Sequence, residues 1–160
     1  MGAIPDRVRA LAEMPPIEDA ILAVMREAFP DVPVYSLVPP RGDLFPFILA
    51  RAATNANLWG GDERFIDSAI VAIHTFTEDP NGDEQGAILS EAVRVALRDA
   101  ARRQVRLPGG ARLHKVKLTA HPRRVSDWAT STGPVQYADL PAGTYRYETL
   151  FRIWIRRANS

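Results

Sequence analysis

The segment from Phe45 to Arg106 narrows the possible folds more than any other part of this chain. Two apolar runs, Phe45-Pro46-Phe47-Ile48-Leu49-Ala50 and Ile66 to Phe76, flank a connection that contains Gly60-Gly61-Asp62. Apolar runs of this length bounded by turn residues read as strands. Asp79-Pro80-Asn81-Gly82 stops the second run, because it combines a fixed φ, a missing donor and a residue at ease in left-handed backbone. From roughly Glu84 to Arg106 the spacing predicts a long amphipathic helix. Its apolar stripe is Ile88, Leu89, Ala92, Val93, Ala96, Leu97 and Ala100. Asn81, with Glu84 three residues on, fits a capping box at its start. Pro108-Gly109-Gly110 ends it. The unit supplies core and surface but almost no reactive side chains.

The flanks complete an α+β pattern. Residues 1–16 read as an N-terminal arm, in which Arg7 to Met14 has room for two helical turns before Pro15-Pro16. A helix follows from about Pro16 to Phe29, with Ile17, Ile21, Val24, Met25 and Ala28 on one face. Glu18 and Asp19 suit its positive end. Val34 to Val38 is a short strand, and Pro39 to Asp43 a turn. Arg112 to Ala120 alternates as a third strand, and Pro122 to Gly143 is a long loop. The last strand puts Tyr145, Tyr147, Thr149, Phe151, Ile153 and Ile155 on one face. Arg146, Glu148, Arg152 and Arg156 lie on the other, which Leu150 and Trp154 interrupt. The expected fold is an antiparallel or mixed sheet of four strands, or slightly more, with two main helices packed on one face. The arm of residues 1–16 is then followed by a single domain over 17–160, with its long loop at 122–143.

Composition adds bounds. The chain has 160 residues, 46% of them hydrophobic and 24% charged, enough for one folded domain with a real core. It has no cysteine, which excludes disulfides and thiolate metal sites. No apolar run approaches the roughly 18 residues that a bilayer span requires. The N-terminus lacks the basic flank and apolar stretch of a secretory signal. These features fit a protein that stays in the cell that makes it or leaves inside a particle.

Net charge is +1, but between Arg94 and Arg124 ten basic residues face one acid, Asp99. That block carries +9 and the remainder of the chain −8. Arg94, Arg98 and Arg102 recur every four residues on the helix, and Lys115 and Lys117 alternate on the following strand. Such a surface fits phosphates, an acidic neighbouring subunit, or plain solvation. Signatures of sequence-specific nucleic-acid readers are absent. Trp59, Trp128 and Tyr137 fall in loops, where large aromatics either fold back into their own domain or anchor interfaces.

Motifs for chemistry are missing. His74, His114 and His121 have no ligand-like spacing, and no H-E-x-x-H pattern exists. The acidic turn from Asp79 fails as a calcium loop, since Glu84 stands where glycine is needed and Ser90 where a bidentate Glu is needed. No phosphate loop, dinucleotide fingerprint or nucleophile elbow is present. No catalytic, cofactor-binding or metal residues are expected, and neither a cofactor nor enzymatic activity.

The order and local wording of the chain resemble the tail terminator proteins of long-tailed bacteriophages, particularly those of actinobacterial phages. The residues that carry this are Pro16-Ile17-Glu18-Asp19-Ala20, Val32-Pro33-Val34-Tyr35 with its proline turn, Phe45-Pro46-Phe47-Ile48, Gly60-Gly61, Phe65-Ile66-Asp67 to Phe76, and Tyr145-Arg146-Tyr147-Glu148. The resemblance spans most of the chain from Pro16 onward and is one of layout. It implies a structural virion protein at the head-proximal end of the tail. Such a protein forms a ring, expected to be a hexamer, that caps the tail tube, stops its polymerisation and meets the head connector. DNA passes through the ring, with no cofactor and no membrane. A head-closure or neck connector protein is the alternative. A small cytoplasmic ligand-binding domain or enzyme is a further one, which requires a deep pocket joining distant segments.

Overall fold

The computed structural model describes residues 2–12, 14–37, 45–54, 64–125 and 143–157. Their order is α1 (Asp6–Leu11), α2 (Ile17–Ala28), β1 (Val34–Tyr35), β2 (Phe47–Thr54), β3 (Ile66–Glu78), α3 (Gly82–Arg102), a 3-10 turn (Pro108–Gly110), β4 (Arg112–Val125) and β5 (Thr144–Arg156). The architecture is α+β, with five strands in the order β1-β2-β3-β5-β4. β1 runs parallel to β2, and the pairs β2–β3, β3–β5 and β4–β5 are antiparallel. α3 returns the chain so that β3 and β4 point the same way, and β5 fills the space between them.

α2 and α3 pack on one face of the sheet. α2 lies over β1, β2 and β3, and α3 over β3, β5 and β4. Between them and the sheet sits the main core, including Ile21, Met25, Ile48, Ile73, Val93, Leu97, Leu113, Phe151 and Ile153. Burying a side chain of this size contributes about 1.5–3 kcal/mol. In α2 the buried row is Ile17, Ala20, Ile21, Leu22, Val24 and Met25, while Ala28 is exposed.

The inward face of α3 differs from the sequence expectation. Its buried row is Gly82, Gly86, Ser90, Val93, Leu97 and Ala100. Ile88 is 61% exposed. The first half of the helix approaches the sheet through small residues because β3 and β5 present bulky or polar groups there. Thr75 Oγ1 donates to the Gly86 carbonyl at 3.3 Å and shares a 2.8 Å hydrogen bond with Ser90. Thr77 Oγ1 donates to the Gly82 carbonyl. A Cβ at Gly86 would stand 2.7 Å from Tyr147 Cδ2, and one at Gly82 would stand 2.5 Å from Tyr145 Cδ2.

Other boundaries moved. Asn81 stands at the N-cap but makes no side-chain capping hydrogen bond, so the capping box does not form. First-turn Asp83 instead accepts from the Tyr147 hydroxyl at 2.8 Å. α3 ends at Arg102, and the chain reaches β4 through Gln104, at φ 48°, and the positive-φ pair Gly109 and Gly110. β4 runs on to Val125, so residues 122–125 belong to a strand and not to the expected loop. Pro122 is tolerated because β4 is an edge strand, where a missing N–H need break no ladder, and pairing slips between Ala120 and Arg123. Among the described residues of the expected arm, Asp6–Leu11 is the helical part, and that helix buries no residue.

The second face of the sheet, opposite the helices, carries its own apolar cluster. Phe47 and Phe76 are register partners whose rings stack at 4.5 Å, with Leu49 buried beside them. Tyr35 and Phe45 pack on this cluster.

Candidate interaction surfaces

The five charged residues singled out from the sequence do not form one surface. Arg94, Arg98 and Arg102 lie on the outer side of α3. Arg94 Nε donates to Glu91 at 2.8 Å, a bond that holds the Glu91 carboxyl below the usual carboxylate range. Arg98 and Arg102 share Asp99, at 3.3 and 4.0 Å. Pairs this exposed are worth little to stability. Their effect is on the local field, where Arg103 and Arg106 add two exposed cations that make no ion pair among the described residues.

Lys115 and Lys117 lie across the sheet on its second face. They pair in register with Trp154 and Arg152 of β5, whose neighbours Ile153 and Ile155 point into the helix-side core. Lys115 Nζ stands 5.3 Å from the centre of the Trp154 ring, and the Arg152 guanidinium 4.7 Å from it. Both fall within the range of a cation–π attraction. Trp154 is 7% exposed and acts as a platform that holds two cations side by side. Sequence reasoning missed Trp154 and Arg152 as members of this group. The signal was Trp154 interrupting the polar face of the last strand.

Further along the same face the sheet buries polar groups. Arg146 is 2% exposed and His74 3%. Burial, reinforced by the nearby Arg146 charge, lowers the His74 pKa to about 3. His74 Nε2 lies 3.9 Å from Glu148 Oε2, but a neutral imidazole makes no ion pair there at pH 7. Glu148 also accepts from Arg123 at 3.0 Å.

On the helix side, Arg124 stacks over the Tyr145 ring at 4.7 Å and reaches Asp83 at 3.5 Å. A hydrogen bond to Asp79 raises the Tyr145 pKa, and burial followed by the Asp83 bond raises that of Tyr147. This cluster ties the start of α3 to the start of β5.

Trp59, Trp128 and Tyr137 lie outside the described residues. Among the described residues no group of three or more His, Asp or Glu side chains is placed to hold a metal. No described helix is long and apolar enough to cross a membrane. A shallow recess of about 440 Å³ lies at the turn between α2 and β1, lined by Arg26, Phe29, Asp31 and Tyr35 among others. Arg26 is already committed there to the Val34 carbonyl at 3.1 Å.

No protein-family model matches the chain, and no curated protein matches it. Among solved structures, a chain from the virion of a native gene transfer agent (GTA) particle is similar over 88% of this chain and 94% of that one. The two are 19% identical and superpose with a TM-score of 0.58. At that identity the likeness is one of fold.

Proposed function

We propose that this protein is a structural component of a phage-like virion, of the tail terminator kind. In this reading it forms a ring, hexameric by expectation, on the last ring of the tail tube. The ring stops tube growth, meets the head connector and lets DNA pass. The observation that carries the reading is the shared fold, nearly end to end in both chains, with a component of a virion particle. The layout of residues from Pro16 to Glu148 supports the same class. The role is assembly and not catalysis.

Lys115, Lys117 and Arg152 are the proposed DNA-facing group. They stand together on a regular sheet, a rigid support for a non-specific phosphate contact. The helix-side set, Arg94, Arg98 and Arg102, is already partly neutralised by Glu91 and Asp99.

The test is direct imaging. Negative-stain microscopy and mass photometry of the purified chain, alone and mixed with tail tubes, should give closed rings and tubes capped at one end. A strict monomer that leaves tubes uncapped and still growing would refute the reading. Loss of the gene from its particle should yield overlong tails. Normal tails on leaking heads would instead assign the chain to head closure.

A further inference from the structure

Of the six large apolar side chains exposed among the described residues, four fall in two places. Ile4, Val8 and Leu11 are 60%, 46% and 79% exposed on the arm. α1 buries none of its residues, so its apolar side finds no cover in its own subunit. The second place is the outer side of α3, where Ile88 is 61% exposed. Half-buried Ala92 and Val95, four and seven residues on, extend that patch along the helix.

Charge marks the two patches as partners. Arg7 stands four residues before Leu11, and Glu84 four residues before Ile88. Each apolar anchor thus has one charge a turn ahead on its own side, and the two charges are opposite in sign. Arg7 and Glu84 are exposed, and neither makes an ion pair among the described residues. The acids beside Glu84 are already engaged, Glu91 by Arg94 and Asp83 by Tyr147 and Arg124.

The patches also lie at different ends of the helix layer. α2 starts where Glu18 meets the Ala52 N–H and ends where Arg26 meets the Val34 carbonyl. α3 starts against Thr77 and Thr75, and Thr75 pairs with Ile48, the partner of Val34. α2 and α3 are therefore antiparallel, and the arm enters at the level of the C-terminal half of α3. Ile88 lies twelve residues before Ala100, about 18 Å back along the helix.

We infer that the arm of one copy lies along the first half of α3 in a second copy. Val8 and Leu11 then cover Ile88 and Ala92, and Arg7 stands opposite Glu84. The inference rests on the ring reading and names one of its subunit contacts. The contact is head-to-tail, since two different surfaces meet, and a head-to-tail contact generates a ring when its rotation closes. The receiving surface is the outer side of the helix layer, so the Lys115–Lys117–Arg152 group on the second face stays open to DNA.

The chain has no cysteine, so introduced thiols report the contact. Chains carrying Leu11→Cys and chains carrying Ile88→Cys, co-expressed and oxidised with diamide, should yield a cross-linked dimer, which requires Cα atoms within about 7 Å. Neither chain alone should cross-link. Both substitutions in one chain should give a ladder of linked copies on a non-reducing gel. A monomer linked to itself would mean that the arm folds back on its own α3, which overturns the contact. Val8→Asp with Leu11→Asp should raise the concentration for half-assembly about tenfold or more by mass photometry, and so should Ile88→Asp. Arg7→Glu and Glu84→Arg should each raise it about threefold, and together should return it to the parent value. Circular dichroism should show every variant folded like the parent, because none of these side chains is buried. If the parent forms rings, no cross-link joins two copies and the aspartate variants assemble like the parent, the contact is wrong while the ring reading stands. Aspartate variants that keep their rings but no longer cap tubes would give the arm to the tube and overturn the contact as well. If the parent never forms rings, alone or on tubes, both readings fall together.

Discussion

His74 shows how a single buried side chain sets the acid sensitivity of the fold. Its partner across β3 and β5 is Glu148, yet it stays neutral, because burial and the Arg146 charge both oppose protonation. An unfolded histidine titrates near 6.5, so the unfolded chain takes up a proton that the folded chain refuses until about pH 3. Stability from this group is therefore complete above pH 6.5 and is lost progressively as pH falls below it. By pH 4.5 the loss amounts to about 2.7 kcal/mol. Urea unfolding at pH 7.0, 5.5 and 4.5 should show it, and His74→Asn should flatten the slope over that interval. Equal slopes in the two proteins would count against the buried neutral state. Gly86 makes a second residue-scale case. Gly86→Ala gains helix propensity of about 1 kcal/mol but drives a methyl into Tyr147, a clash worth about 1–3 kcal/mol. The ring cannot turn aside without breaking its bond to Asp83. The variant should be less stable than the parent, whereas the same change in a Tyr147→Ala background should stabilise. A thermal-melt double-mutant cycle separates the two terms. None of this was legible in the sequence. The Gly86–Tyr147 contact joins positions 61 residues apart, and His74 reads as an ordinary strand residue.

At the scale of elements, periodicity found every main helix and strand but not always the row that faces inward. Hydropathy marks Ile88, Leu89, Ala92 and Val93 as the apolar stripe of α3, since apolar residues usually mark the buried side. In its first two turns the buried row is instead Gly82, Gly86 and Ser90. Small residues won there because Thr75 and Thr77 satisfy helix carbonyls directly, which only a close approach allows. Leu97→Ala should therefore cost about 2–5 kcal/mol. Ile88→Ala, on the exposed side, should cost no more than about 0.5 kcal/mol. Denaturant midpoints for the two variants give the comparison, and a large effect at Ile88 in the isolated chain would overturn the assignment of faces. The end of β4 is hidden in the sequence for a related reason. Pro122 and a run of arginines read as a loop, but at a sheet edge neither excludes pairing, and Glu148 and Tyr147 supply register partners for Arg123 and Arg124.

At the scale of the whole molecule, the decisive step is the insertion of β5 between β3 and β4. Chain order gave no hint of it. It sets Trp154 and Arg152 beside Lys115 and Lys117, and it separates those lysines from the arginines of α3 by the thickness of the sheet. The sequence showed one basic block, whereas the fold makes two basic surfaces with different neighbours. They are separable by salt dependence. A phosphate contact releases counterions, so binding to a duplex weakens with a log–log slope of about −0.9 for each phosphate neutralised. If the second face meets DNA through Lys115, Lys117 and Arg152, anisotropy titrations between 50 and 200 mM salt should give a slope near −3. Two duplexes of unrelated sequence should behave alike. Lys115→Ala with Lys117→Ala should then make that slope shallower by about 2. Arg94→Ala with Arg98→Ala should leave it unchanged, because those side chains face away and already lean on Glu91 and Asp99. The reverse pattern would move the DNA-facing role to the helix layer.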